Sequence, residues 1–106
     1  MIEYNIINDL TGELSAVIHL EEGNTYAKRL SDNAPILFGL EQFGWNDNPT
    51  EEQIISFLKD RVMPENRQNL HVFLASVGLQ EYDVHKMIEI NHGRVTDDYF
   101  SLKRVI

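Results

Sequence analysis

His85, Glu89 and His92 are spaced by four and three, so on a helix they project from similar sides. Two imidazoles and a carboxylate suit zinc where a fourth position is open. His92 adjoins the helix-stopping Gly93 and no cysteine supplements the set, so a solvated helix face is preferred to a metal site. Asp97 and Asp98 form a carboxylate pair of the kind used in general acid–base catalysis, but adjacent strand residues point to opposite faces. Turn formation or capping suits them better. Ser31, Ser56, Ser76 and Ser101 lack the histidine–carboxylate context of a nucleophile elbow. The six glycines fall at turns and helix ends, without the spacing of a dinucleotide or phosphate loop. The expectation is therefore no catalytic residue, no metal and no cofactor. A small enzyme or metal-dependent protein whose site is assembled only in the fold stays as the alternative.

A different chemistry belongs to Arg61 and Arg67, three residues either side of Pro64. Proline lacks an N–H and disfavours an α conformation at Met63, so one helix should end near there and another begin just after. The two guanidinium groups either clamp that corner through carbonyls or carboxylates, or meet a partner. The clamp is the preferred reading. Asp98 is a further candidate to pair with Arg61 or Arg67.

The elements that position these residues follow from pattern. Tyr4-Asn5-Ile6-Ile7 begins a β segment, and the turn residues Asn8 to Gly12 return the chain along Glu13 to Leu20. There Leu14, Ala16, Ile18 and Leu20 alternate with Glu13, Ser15, Val17 and His19, which predicts one buried face and one largely wet. Glu21 to Asn24 turns again toward a third strand in Thr25 to Leu30. After the breaker Ser31 to Pro35, the apolar run Ile36 to Leu40 is short enough to plug the core, and Trp45 is read as a lid on that core rather than a contact residue.

Thr50-Glu51-Glu52-Gln53 is a capping-box pattern, with two carboxylates at the positive end of the helix dipole. Ile54, Ile55, Phe57, Leu58 and Val62 make a broad apolar face up to the joint at Pro64. A second helix carries Leu70, Phe73, Leu74 and Val77 at i, i+3, i+4 and i+7, closed by Gly78 and Leu79 as C′ and C″. A third runs from an Asp83 cap through Val84, Met87 and Ile88 to a stop at Gly93. Tyr99 to Ile106 is strand-like and suited to pair with the first sheet.

Composition narrows the function classes. The chain of 106 residues, 42% hydrophobic and without cysteine, suits one small domain in a reducing compartment, and lacks both a leader-like segment and an apolar run long enough to span a bilayer. A cytoplasmic protein with no membrane role is expected. Net charge is −8, and residues 1–53 hold ten acidic side chains against Lys28 and Arg29, whereas residues 54–106 hold seven of each sign. Such a field repels nucleic acid and speeds encounter with a basic partner. Solubility is its plainer use. Glu21, Glu22, Trp45, Arg61 and Arg67 are the candidate partner contacts.

The second half resembles the leader region ahead of the kinase domain in bacterial HipA-like proteins, the serine/threonine kinase toxins of toxin–antitoxin systems. The residues that carry the resemblance are Arg61, Pro64 and Arg67, the helix end at Val77-Gly78-Leu79, Gly93, and Asp98 with Phe100 and Lys103. Asn33 to Leu40 looks like the family's short apolar segment before its helices, which brings the coverage to about two thirds of the chain. Ser101 departs from the family, standing where a tryptophan is common. The chain also contains no glycine-rich phosphate loop and no catalytic aspartate loop, so kinase activity does not carry over. The resemblance implies a docking or regulatory module, with a kinase-like protein as one partner; short proteins of mobile elements look similar and suit a stand-alone copy.

The fold class expected is α+β. A small antiparallel sheet from residues 1–40, joined by a strand-like tail at 98–106, packs on three helices from residues 50–93 within one domain. Leu14, Ile18, Ile36, Phe38, Ile54, Leu58, Leu70, Phe73, Leu74, Val77 and Ile88 are the expected core. The function expected is a non-enzymatic, protein-binding or regulatory module acting by occupying a partner's surface. An acidic inhibitor that imitates nucleic-acid charge is a narrower version. Composition and spacing leave the partner and oligomeric state open.

Overall fold

The Asn8 to Gly12 turn closes through the Gly12 N–H on the Asn8 carbonyl at 2.7 Å, and β1 (Ile2–Asn8) and β2 (Glu13–Leu20) lie antiparallel on either side. The computed structural model describes residues 1–30, 49–96 and 99–106. β3 (Tyr26–Arg29) adds to β2, and β4 (Phe100–Arg104) adds to the opposite side of β1, giving an antiparallel four-stranded sheet in the order β3-β2-β1-β4. With three helices among the described residues, the fold is α+β and includes the strand expected at the C-terminal end.

The alternation expected along β2 breaks at a β-bulge. Ile6 pairs with Ala16 but Ile7 pairs with Leu14, so Ser15 is the extra residue. One residue of slip reverses every side chain before it. Leu14, expected in the core, is accordingly 38% exposed, while Ser15 is fully buried with its hydroxyl unpartnered among the described residues. His19 is a second correction. Alternation places it on the wet face, yet it is buried, with the Tyr26 ring stacked on it at a centroid separation of 4.8 Å.

Helix α1 (Glu51–Asp60) starts at the expected capping box: Thr50 Oγ1 accepts the Gln53 N–H, and Gln53 Oε1 accepts the Thr50 N–H. It stops at Asp60, short of the proline joint. Arg61 and Val62 direct their N–H groups to Leu58 and Lys59, tightening the last turn before the region that Pro64 keeps from helical geometry. Nor does the next helix follow Pro64 directly. α2 (Leu70–Ser76) begins only after Asn69, whose left-handed backbone redirects the chain. Its C-terminal closure is as expected, since Leu79 N–H bonds the Leu74 carbonyl and Gly78 N–H bonds that of Ala75.

α3 (Val84–Asn91) is capped by Asp83, whose carboxylate accepts the Lys86 N–H. It stops ahead of Gly93 as expected, with Asn91 its last residue, His92 its C-cap, and both His92 and Gly93 at positive φ. Ile54 and Leu58 from α1, Leu74 from α2, and Met87 and Ile88 from α3 meet the sheet's Tyr4, Ile6, Ala16, Ile18 and Leu102 in one core. Leu70 and Phe73 pack beside it and Val77 is half-buried, while the expected Ile36 and Phe38 lie outside the described residues. Leu74 is 7% exposed. Leu74→Ala is expected to cost about 2–5 kcal/mol in urea unfolding. A loss under ~1 kcal/mol would contradict this packing.

Among the described residues no helix is long and apolar enough to cross a membrane.

Candidate functional site

Three local starts and turns bring carboxylates to one end of the molecule. The turn after β2 supplies Glu21 and Glu22, held by Asn24 N–H and Thr25 Oγ1 on the Glu21 carbonyl. The first turn of α1 supplies Glu51, and the N-cap of α3 supplies Asp83. All four line a cleft of about 580 Å³ that Lys59 and Met1 also line. Glu51 and Asp83 also serve their own helix starts. Glu21 and Glu22 have no such duty.

The floor of the cleft is apolar, formed by Ile2, Leu20, Ile55 and Leu58. Ile55 belongs to the apolar face expected of α1 yet is 39% exposed, because that face is wider than the core it covers. Tyr82 closes one side, its hydroxyl donating to the Met63 carbonyl at 2.7 Å.

His85 lines the same cleft and is half-buried. Its Nδ1 lies 2.6 Å from the Tyr4 hydroxyl, and the two rings are nearly parallel. Burial pushes the Tyr4 phenol up to about 12, against the pull of Arg104. Burial also holds the His85 imidazole below its ordinary value; Asp83 and Glu89 draw it up, and Arg104 opposes them. Around the strand end, His19 Nδ1 meets Glu3 at 2.7 Å and Nε2 faces Glu21 at 3.5 Å, so one cleft carboxylate reaches toward the opposite sheet face.

The residues expected at the arginine corner are not used alike. Arg61 is buried: Nε donates to the Gly93 carbonyl at 2.7 Å, an Nη to Phe100 at 2.9 Å, and the guanidinium lies over the Phe57 ring. It is the clamp of the two readings, and as a partner contact it is corrected, since a buried fork offers no surface. Arg67 stands exposed with Nη1 toward the Met63 sulfur. Trp45 and the Asp97–Asp98 pair, including the pairing suggested for Asp98, lie outside the described residues.

His85, Glu89 and His92 are not gathered into a metal face. His85 turns to Tyr4, Glu89 pairs with Arg104 at 3.2 Å, and His92 is the left-handed helix cap. Among the described residues no group of three histidine, cysteine or carboxylate side chains could hold a metal ion.

A polar cluster that spacing did not reveal joins the sheet's far end. Asp9 accepts the Ser101 hydroxyl at 2.7 Å and the Arg94 Nε at 3.0 Å. The Ser101 bond, opposed by desolvation and aided by Arg94, holds the Asp9 carboxyl below its ordinary range. No protein-family model matches the chain, and neither a curated protein nor a solved structure matches it.

Proposed function

We propose that the chain is a non-enzymatic protein-binding module whose cleft takes a basic, apolar-anchored segment of another protein. The observation that carries this reading is the combination of four carboxylates with an apolar floor in one cleft. Lysine or arginine side chains meet Glu21, Glu22, Glu51 and Asp83, while an intervening aliphatic side chain covers Leu20 and Ile55. The excess acidity of residues 1–53 steers the encounter, and the apolar contact sets how long it lasts. The module acts by occupying the partner's basic surface. A kinase-like protein is the partner class that the leader-region resemblance implies.

The test is titration with a short, end-capped peptide of alternating lysine and leucine. Affinity is expected to fall steadily with salt, and the double change Glu21→Gln and Glu22→Gln to weaken it about tenfold at low salt. Salt-insensitive binding, or binding indifferent to both changes, would overturn the reading.

A further inference from the structure

We infer that the cleft is gated by pH through His85, holding its basic segment while that imidazole is neutral and releasing it on protonation. This rests on the cleft reading above. Tyr4 is fully buried, keeps its phenolic proton and has no acceptor but His85 Nδ1 among the described residues, so donating that proton to Nδ1 in the 2.6 Å contact is what leaves no buried hydrogen unpaired. That arrangement requires the neutral ring, with its hydrogen on Nε2. Protonation puts a hydrogen on Nδ1 as well. The Tyr4 oxygen can accept that hydrogen only by turning its own O–H away from Nδ1, which leaves a buried phenolic hydrogen without its acceptor.

The same proton places a cation in the wall of a site that takes cations. From its own helix His85 faces Asp83 and Glu89, from β4 Arg104, and from β1 Tyr4. Across the cleft stand Glu51 and Lys59 of α1, with Glu21 and Glu22 after β2. The carboxylates favour the imidazolium, but burial outweighs them and Arg104 acts with burial. The ring is therefore neutral near pH 7 and gains charge only below its ordinary value of about 6.5. A bound lysine or arginine adds a like charge and lowers that titration further. By linkage, binding is strongest above ~6.5 and weakens as pH falls through the range where His85 charges.

The experiment is calorimetric titration of the lysine–leucine peptide at about pH 7.5 and 5.5, both above the ordinary carboxylate range of ~4. The native chain is expected to bind about twofold to fivefold more tightly at the higher pH, because a ring that charges only below ~6.5 is partly, not fully, protonated at pH 5.5. His85→Gln, which keeps an acceptor for Tyr4 but does not titrate, should lose the difference. NMR titration of the native His85 ring gives a second readout that needs no variant: its pKa should fall when the peptide is bound. Peptide binding that depends on Glu21 and Glu22 but is equal at both pH values, with an unmoved His85 titration, overturns the gate and leaves the cleft reading standing. Absence of binding at both pH values overturns both. A pH difference that survives in His85→Gln and vanishes in His19→Gln belongs to the His19–Glu21 contact, and overturns the assignment to His85.

Discussion

Arg61→Ala is expected to destabilise the fold by about 3–5 kcal/mol in urea unfolding, more than any exposed charge in the chain. Arg61 is 4% exposed and ties the end of α1 to backbone 32 and 39 positions further along the chain. Its donors go to Gly93 after α3 and to Phe100 at the start of β4, and its guanidinium lies over the Phe57 ring. Charge-assisted bonds of this type contribute about 1.5–3 kcal/mol each, and removing the donor strands both acceptors in a site closed to water. The backbone of the same residue is engaged as well. Asn91 donates its amide to the Arg61 carbonyl and accepts the Gly93 N–H, so both helix ends share one small network.

Arg61→Lys should recover little of this loss, because one ammonium cannot reproduce a planar fork aimed at two carbonyls. If Arg61→Ala costs less than ~1 kcal/mol, water or a neighbour satisfies the carbonyls and the clamp is not the corner's support.

Gly93→Ala is the second large effect, expected at about 3 kcal/mol. Gly93 has φ +63°, and a methyl there would lie 2.9 Å from the Leu102 Cβ and 3.0 Å from its Cδ1. The left-handed backbone costs a non-glycine residue about 1–2 kcal/mol. Overpacking against a buried neighbour adds about 1–3 kcal/mol, because the Leu102 Cβ moves only with its strand. Gly12→Ala is the control, since Gly12 has φ +76° and nothing within 4 Å of the added methyl. It should lose only the backbone portion. Equal losses at the two positions would show that Leu102 gives way. Since Gly93 holds an acceptor of Arg61, the double variant Arg61→Ala with Gly93→Ala should cost less than the sum.

Most elements were legible because their signals are local. Thr50 and Gln53 announce a helix start three residues apart, Gly78 and Leu79 announce a helix end, and Glu13 to Leu20 has the extent of β2. The failures arose where distant contacts prevailed. Strict alternation put Leu14 inside, but the bulge at Ser15 turned it out. The proline joint implied longer flanking helices, whereas the Arg61 side chain is committed to Gly93 and Phe100 and α1 ends beside it.

The candidate site was half legible. Glu21 and Glu22 stood out through charge, but Glu51 and Asp83 had sufficient explanation as helix-start residues. Tyr4 and His85, 81 positions apart, meet only through sheet register and the docking of α3. The signal available was Tyr4 sharing a strand face with Ile6, an inward hydroxyl in need of a partner.

The sheet order also dictates when this molecule is complete during its synthesis. β1 emerges early but gains its second neighbour only when β4 arrives, and Asp9 waits 92 positions for Ser101. Pairing at such separation closes a long loop and is slow relative to the hairpin. Until then the nascent hairpin carries an uncovered edge beside Ile6 and Tyr4, the kind of surface that chaperones cover. Because the Tyr4–His85 contact forms across the same separation of early and late segments, it reports completed folding rather than hairpin formation.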